Sequence, residues 1–340
     1  MNFKITKPVR LLETFSGIGS QAMALRDLGV NFEHWRTMEW DVNSVKSYHA
    51  IHMMNDNKDY SAKFSKEQLI NILEDIGISS DGKTPMMKDK IKKKNERWLR
   101  DTFNDFMATK NIGSVMNRKG KDLKIVDTDK YCYILTYSFP CQDLSLSGLQ
   151  KGMSKGSGTR SGLLWEIERL LNECAELGEL PQVLLMENVT QLHSKKNIAD
   201  FEQWIKALEN LGYSNFYQDM NSKNYGVAQN RDRCFMVSIL KSEFGENATY
   251  TFPEPIPLQK RLKDYLEDEV DEKYYINTDR AKELIGKLID KGVLPKEKNT
   301  PVDLATRNPD TRDVANCVKT VQRGIVNFAQ AETGVATYNG

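Results

Sequence analysis

Short apolar runs alternate with stretches of helical apolar periodicity along residues 9–252, a pattern typical of strands and helices in turn. The first apolar run, residues 9–15, is followed by a Gly-x-Gly turn and a helical pattern. The second predicted strand, residues 32–40, contains Glu39 about 20 residues after the turn, where a doubly wound fold places the acidic residue that binds ribose hydroxyls. The strand, glycine turn, helix and second strand at the start of the chain predict an α/β fold that binds a nucleoside cofactor. Capping of the following helix is the alternative role for Glu39.

Two further apolar runs predict buried strands that lead into reactive side chains. Residues 131–137 precede Cys141 on a tight turn, and residues 181–186 precede Glu187. Ligands bind beyond the carboxyl ends of the strands in open α/β sheets. We therefore expect this thiol and this carboxylate to emerge at the same edge.

The pattern after Cys141 predicts a loop, two helices and a last strand. Residues 148–160 are rich in Gly, Ser and Lys, as in a mobile loop, and the helices are predicted at residues 161–171 and 204–211. The strand 234–240 follows two arginines that lie two residues apart, so that their side chains face the same way in extended chain. The two arginines either take part in the site at this sheet edge or form ion pairs at the protein surface. Prolines break the alternation after Phe252.

A polar, lysine-rich segment, residues 55–129, interrupts this pattern and is predicted to be an insertion. Two amphipathic helices are predicted within it from periodic apolar residues: Leu69, Ile70, Leu73 and Ile76, then Trp98, Phe103 and Phe106. The lysine run 88–94 is interpreted as a solvated helix face in preference to a contact with the DNA backbone.

Composition narrows the class of protein. Of 340 residues, 39% are hydrophobic and 28% charged, which is ordinary for a soluble globular protein. The net charge of +1 means that a polyanionic partner must be met by a local basic face. Residues 1–15 lack a signal-peptide hydrophobic region, and no apolar run reaches the roughly 18 residues that span a bilayer. The expected location is the cytoplasm, with no membrane partner.

The five cysteines are odd in number and widely spaced, with no C-x-x-C pair, which argues against a disulfide framework and against a zinc site. No metal is expected, and none of the four histidines is assigned a role. Three cysteines, Cys132, Cys174 and Cys234, lie inside apolar runs and are expected to pack in the core. Cys141 differs because a proline precedes it and polar residues follow it.

The residue types at the predicted sheet edge suit attack on a pyrimidine. A cysteine thiol is intrinsically very nucleophilic although only a few per cent is ionised near neutral pH. A carboxylic acid at Glu187 can donate to a ring nitrogen, and a guanidinium from Arg231 or Arg233 can hold a carbonyl oxygen. Together these groups would activate an electron-poor ring toward the Cys141 thiol.

The chain resembles the DNA (cytosine-5)-methyltransferases over roughly residues 9–240. Four motifs occur in the order and spacing of that family: Glu13-Thr14-Phe15-Ser16-Gly17-Ile18-Gly19, Pro140-Cys141-Gln142, Glu187-Asn188-Val189 and Gln229-Asn230-Arg231-Asp232-Arg233. It is especially similar to a branch with a long lysine-rich insertion and the sequence at residues 158–166, some of whose members methylate CpG. The resemblance implies a Rossmann-like methyltransferase sheet with helices on both faces, plus an incomplete small target-recognition domain.

The resemblance also implies the cofactor and the residues around it. S-adenosylmethionine would lie against the turn made by Phe15, Ser16, Gly17, Ile18 and Gly19. Glu39 would bind the ribose hydroxyls, Trp40 would lie against the adenine, and Pro140 would line the methyl end.

For the substrate, the resemblance implies a cytosine flipped out of double-stranded DNA. Cys141 would attack its carbon 6, Glu187 would contact N3 and the exocyclic amine, and Arg233, with Arg231 nearby, would hold the carbonyl at C2. The methyl group would then go to carbon 5. The loop 142–160 would close over the flipped base, with DNA contacts from Gln142, Ser145, Ser147 and Arg160.

The expected domains are a catalytic domain, residues 1–252, and a linker with the start of a target-recognition region, residues 253–340. The family's later motifs are not recognised after Phe252. We therefore expect the catalytic part of a split restriction-modification methyltransferase, completed by a second subunit. The alternatives are an inactive DNA-binding truncation product and a tRNA cytosine methyltransferase.

Overall fold

Six strands form the central sheet of the computed structural model, in the order β2-β1-β3-β4-β7-β5. Their bounds are β1 Val9–Thr14, β2 Phe32–Met38, β3 Cys132–Tyr137, β4 Val183–Asn188, β5 Tyr213–Asn221 and β7 Asp232–Leu240. Strand β1 pairs in parallel with β2 and β3, and β3 pairs in parallel with β4. Strand β7 runs antiparallel to β4, so the sheet is mixed.

The structure describes residues 3–141, 144, 152–156, 158–265, 275–276, 279–292 and the pairs 302–303, 308–309, 315–316 and 335–336. Gln142, Ser145 and Ser147 of the predicted DNA contacts lie outside these residues, as do residues 148–151 and 157 of the predicted loop. Most of the predicted target-recognition region also lies outside them.

Helices connect the strands. Their bounds are α1 Ser20–Asp27, α2 Val42–His52, α3 Lys66–Ile76, α4 Lys88–Lys92, α5 Glu96–Ala108, α6 Leu164–Glu176, α7 Ile198–Asn210, α8 Lys241–Phe244 and α9 Asp279–Asp290. Short 3-10 turns span Val115–Asn117, Gly120–Leu123, Ser161–Leu163, Thr190–His193, Ser222–Asn224 and Leu262–Tyr265.

The sheet is buried on both faces, as its continuous apolar strands require. On one face, Leu12, Tyr133 and Leu135 pack with residues of α6 and α7, among them Trp165 and Trp204. On the other face, neighbouring residues of the same strands pack with Ala22 and Leu25 of α1: Val9, Leu11, Cys132 and Ile134. The predicted α/β fold with helices on both faces is confirmed.

Two element boundaries differ from the sequence prediction in a way that matters for the site. Strand β4 continues through Glu187 and Asn188, and β7 begins at Asp232, so Glu187 and Arg233 lie inside strands. For β4 the physical reason is its ladder with β7, which pairs Glu187 with Phe235 and Asn188 with Cys234 and so extends β4 beyond its apolar run. Strand β5 and helix α2 were not predicted from the pattern.

The insertion has its own apolar core. Both predicted amphipathic helices are present as α3 and α5, and they bury Leu69, Leu73, Leu99 and Phe106 completely. A Ser65 capping box begins α3. The lysine run contains the short helix α4, which buries only Ile91 and exposes Lys90, Lys92 and Lys93.

The chain divides into two units by internal contacts. The first contains residues 1–219 and 233–252, and the second contains residues 220–232 and 253–340. The second unit therefore takes residues 220–232 from the span predicted as the catalytic domain, and the predicted domain assignment stays a prediction. The second unit holds three pairs of short strands. Strand β6 Gln229–Asn230 pairs with β11 Ala315–Asn316, β8 Tyr275–Ile276 pairs with β12 Val335–Ala336, and β9 Val302–Asp303 pairs with β10 Asn308–Pro309.

Among the helices of the described residues, none is both long enough and apolar enough to cross a bilayer.

Truncation of the insertion core should destabilise the protein. Leu73 is fully buried, so Leu73→Ala is expected to lower the apparent free energy of unfolding by about 2–5 kcal/mol through lost burial and a cavity. Urea titration followed by circular dichroism measures this. Leu28→Ala is the matched control, since Leu28 is 78% exposed and its loss should change stability by less than about 0.5 kcal/mol. Equal effects of the two substitutions would contradict the packing described for α3.

Candidate active site

The turn after β1 has a backbone shape that depends on glycine. Gly17 and Gly19 have φ of 52° and 83°, and Phe15 has φ of 55° although it carries a side chain. Ser16 N–H donates to Met38 O at 3.2 Å, which ties the turn to the end of β2. A positive φ at a bulky residue is strained, and such strain concentrates at ligand sites.

The two glycines of this turn have different surroundings. A Cβ at Gly19 would overlap His52 Nε2 and would lie 2.6 Å from Tyr48 Cε2, whereas a Cβ at Gly17 would meet nothing within 4 Å. The space at Gly17 is open on the side where a ligand could approach, and Gly19 is packed against α2.

Glu39 connects the glycine turn to the end of β2. One carboxylate oxygen accepts from Gly17 N–H at 3.0 Å, and the other accepts from Trp40 N–H at 2.8 Å and Asp41 N–H at 2.9 Å. Burial raises the pKa of Glu39 above its ordinary value, against the effect of these three donors. The side chain that caps α2 is Asp41, which accepts from Ser44 N–H. Glu39 thus organises the turn, and its contact with a ribose stays a prediction.

Asn111 is a residue of this region that the sequence analysis missed. It lies within the insertion shortly after α5, is 3% exposed, and its side-chain oxygen accepts from Glu39 N–H at 3.3 Å and from Gly113 N–H at 2.7 Å. Its backbone bridges to Thr37 beside the end of β2. Nothing in the local pattern signals this role, because it depends on the return of the insertion to the sheet.

A buried polar chain supports the glycine turn from behind. Tyr48 donates to Glu13, and because that donor has a single hydrogen, His34 Nδ1–H donates to the Tyr48 oxygen at 2.8 Å. His52 Nε2–H donates to the Ile18 carbonyl oxygen at 3.0 Å. Burial raises the pKa of Glu13 to about 7 and lowers the pKa of His34 to about 4. No role was predicted for these histidines.

The Cys141 turn is held from two sides. Asn188 Nδ2 donates to Phe139 O at 3.0 Å, and Ser161 Oγ donates to Pro140 O at 2.8 Å. Leu144 N–H donates to Cys141 O at 3.0 Å, which closes the turn, and Cys141 itself is half-buried. The four described cysteines are reduced, and three of them are buried as expected.

Glu187 and Arg233 form an ion pair beside this turn. Arg233 Nε donates to Glu187 Oε1 at 2.9 Å, and the two side chains are 17% and 20% exposed. Parallel pairing puts Tyr137 opposite Met186, so the Cys141 turn and Glu187 follow neighbouring positions of adjacent strands. Arg233 is therefore not a surface ion pair, and the structure brings the predicted thiol, carboxylate and guanidinium to one sheet edge.

Two further predicted site residues make contacts with other segments of the chain. Arg231 belongs to the second unit, where its N–H donates to Asn221 Oδ1 and its carbonyl accepts from Ser222 N–H. Arg160 Nη2 donates to Gly82 O at 2.6 Å, within the insertion. Neither observation tests the predicted contact with a base or with DNA.

The fold is that of an α/β methyltransferase. The crystal structure of S. pombe Dnmt2 methyltransferase matches with a TM-score of 0.53 over 96% of this chain and 75% of that one. The structure of Entamoeba histolytica methyltransferase EhMeth matches with a TM-score of 0.50 over 98% and 83%. Sequence identities of 18% and 14% make this a likeness of fold alone.

Sequence comparison defines the family. The model of the C-5 cytosine-specific DNA methylases matches residues 74–289. The orphan methyltransferase M.SssI of Spiroplasma monobiae is 39% identical over 276 residues, which are 80% of this chain and 68% of that protein. The type II methyltransferase M2.ScrFI of Lactococcus lactis subsp. cremoris is 33% identical over 80% of this chain and 71% of that protein.

The chain belongs to the C-5 cytosine-specific DNA methylase family. The family and the enzyme class predicted from the four motifs, DNA (cytosine-5)-methyltransferase, are confirmed. The individual site residues and the second subunit stay predictions.

The two glycines of the turn should respond differently to alanine. Gly17→Ala is expected to cost about 1–2 kcal/mol of stability, because it only places a Cβ at positive φ in open space. Gly19→Ala should cost a further 1–3 kcal/mol, roughly, because its Cβ also overlaps Tyr48 and His52. Urea unfolding of both variants measures the difference, and equal losses would contradict the packing of the turn on α2.

Glu13 and His34 should make opposing contributions to the pH dependence of stability. The pKa of Glu13 rises from 4.5 to about 7 on folding, so the folded state binds more protons and stability falls as pH rises through that window. The pKa of His34 falls from 6.5 to about 4, so its contribution is lost as pH falls from 6.5. In wild type the two effects largely oppose each other.

Glu13→Gln should therefore uncover the His34 effect. The free energy of unfolding of this variant is expected to rise more steeply with pH than that of wild type between pH 4.5 and 6.5. By pH 7 the variant should gain roughly 3 kcal/mol relative to wild type, since each pKa unit corresponds to about 1.4 kcal/mol. Urea unfolding across this pH range measures both curves. The exposed substitution Glu202→Gln should leave the wild-type profile unchanged. Parallel curves for wild type and Glu13→Gln would refute the buried ionisation.

Proposed function

We propose that this chain transfers a methyl group from S-adenosylmethionine to carbon 5 of cytosine in double-stranded DNA, through a covalent adduct with Cys141. The observation that carries the proposal is the Asn188 hydrogen bond, which fixes the Cys141 turn to the strand that bears Glu187, the partner of Arg233 on the neighbouring strand β7. In a member of this family, that arrangement puts a nucleophile, an acid and a cation at one edge.

The glycine turn fits the proposed cofactor. Ser16 Oγ is buried and has no hydrogen-bond partner in the part of the chain that the structure describes, which leaves a polar group for a ligand. The open space at Gly17 permits a close approach to the backbone. Phe15, Ser16, Gly17, Ile18 and Gly19 would hold the cofactor, with Glu39 on the ribose, Trp40 at the adenine and Pro140 at the methyl end. When bound, S-adenosylmethionine supplies an electrophilic methyl group.

The chain's own residues would prepare the cytosine ring. In the proposed step the Cys141 thiol gives its proton to solvent and its sulfur bonds to carbon 6, while the carboxylic acid form of Glu187 donates its proton to N3, so that the ring electrons move to carbon 5. Arg233 would hold Glu187 Oε1 and supply positive charge for the C2 carbonyl. After methylation, a base from solvent removes the proton from carbon 5, the bond between carbon 6 and the Cys141 sulfur breaks with the sulfur leaving as a thiolate, and N3 returns its proton to Glu187, which restores the aromatic ring.

Access to these atoms requires that the base leave the duplex, which costs a few kcal/mol. We assign the contacts that offset this cost to Gln142, Ser145, Ser147 and Arg160, with Arg231 near the flipped base. The Arg160 bond to Gly82 means that this guanidinium is held by the insertion. The insertion would then help to place the residue that follows the closing loop.

Replacement of the nucleophile should abolish both turnover and trapping. Cys141→Ser is expected to reduce methyl incorporation into duplex DNA by at least about 1,000-fold, since a hydroxyl is a far weaker nucleophile. Labelled S-adenosylmethionine measures turnover, and a duplex with 5-fluorocytosine traps the adduct in the wild-type protein only. Cys174→Ala, a buried thiol that donates to Gly120 O, is the control and should retain both.

The same assay identifies the substrate. Duplexes with cytosine in CpG and in other contexts, and tRNA, are offered to the wild-type protein in parallel. Labelling of tRNA without DNA would replace the proposed substrate, and an adduct that survives Cys141→Ser would overturn the mechanism.

A further inference from the structure

Three side chains of metal-ligating type lie together beside the ion pair, although they are far apart in sequence. The ligand atoms of His193, Asp219 and Cys234 all lie within 4.8 Å of one another. His193 ends the 3-10 turn after β4, Asp219 lies on β5, and Cys234 lies on β7. All three belong to the first unit, so the sheet itself holds them in place.

The ring of His193 is positioned by its neighbours. It packs against Phe201 and Tyr217 with centroid distances of 6.1 Å to each, and its Nε2–H donates to Asp219 Oδ1 at 2.8 Å. Cys234 is fully buried beneath, whereas the His193 and Asp219 side chains are 28% and 43% exposed. A small ion can therefore reach the His193 and Asp219 ligand atoms from solvent, and the Cys234 sulfur lies within 4.8 Å of both.

The donor set selects a class of metal. Imidazole nitrogen, carboxylate oxygen and cysteine sulfur together are ligands of zinc and similar borderline divalent cations, whereas magnesium and calcium prefer oxygen alone. Ligand atoms on one tetrahedral zinc ion are about 3.3–3.6 Å apart, given bonds of about 2.0–2.3 Å. Ligand atoms that lie up to 4.8 Å apart would have to approach by about one ångström, and the His193–Asp219 pair, 2.8 Å apart, would have to separate slightly.

We propose that His193, Asp219 and Cys234 form a binding site for a zinc-like divalent cation. Binding replaces the thiol proton by a metal–sulfur bond and releases that proton to solvent, while the imidazole stays neutral by carrying its hydrogen on Nδ1. The fourth position faces solvent and takes water. The site joins β5, β7 and the segment after β4.

The position of the proposed cation site connects it to the sheet edge that carries the predicted catalytic residues. Arg233 precedes Cys234 in β7, and the ladder pairs Asn188 with Cys234. Asn188 is also the residue that holds the Cys141 turn. A cation on Cys234 therefore restrains the two strands that carry Glu187 and Arg233, from the opposite face of the sheet.

Cobalt(II) tests the site because its bond to a thiolate gives a visible and near-ultraviolet spectrum. We expect one equivalent to bind the full chain with a thiolate charge-transfer band, and zinc to displace it and to raise the melting temperature. Cys234→Val should abolish the band. Cys132→Val, another buried strand thiol, is the matched control and should retain it.

His193→Gln and Asp219→Asn complete the test. Each should weaken cobalt binding at least tenfold, and because both side chains are partly exposed, they decide the question even if Cys234→Val fails to fold. Absence of a thiolate band in the wild-type protein, or a band that survives Cys234→Val, would overturn the site. So would binding that is unchanged in His193→Gln. None of these measurements depends on methyl transfer, so their failure leaves the proposed function untouched.

Discussion

Parallel pairing of β1, β3 and β4 is the constraint on which the candidate site depends. It aligns Thr14 with Tyr137 and Tyr137 with Met186, so that the glycine turn, the cysteine turn and Glu187 all follow neighbouring positions at one edge. The pairing is stabilised by apolar residues that are buried on both faces of the sheet. Polar contacts then tie each turn to its neighbour, among them those from Ser16 to Met38 O and from Asn188 to Phe139 O.

The edge is supported by buried polar groups rather than by apolar packing alone. Glu39 satisfies three backbone donors around the glycine turn, and Glu13, Tyr48 and His34 form a chain behind it. Buried polar groups of this kind specify one arrangement because an unsatisfied donor in a low dielectric is costly. The insertion takes part in this arrangement because Asn111 accepts from Glu39 N–H. This contact explains how a lysine-rich segment remote in sequence becomes part of the site.

Local pattern was sufficient for most strands of the central sheet. Buried parallel strands are continuous apolar runs bounded by turn residues, so β1, β2, β3 and β4 could be placed before the structure was known. Strand β5 was not predicted because its outer residues are exposed, as at Tyr217, and its apolar and polar residues alternate only weakly. The end of β4 was misplaced because its last pairs, Glu187 with Phe235 and Asn188 with Cys234, are held by the ladder and not by an apolar run.

The amino-acid sequence alone determined the fold class, the family and the identity of the thiol, carboxylate and arginine at the proposed site, since each depends on motifs of adjacent residues. Only the tertiary structure decided which groups meet across the fold: Asn188 with the Cys141 turn, Asn111 with Glu39, and His193 and Asp219 with Cys234. The physical reason is that these contacts join residues distant along the chain. Their distances follow from strand order and register, which no local pattern of residues encodes.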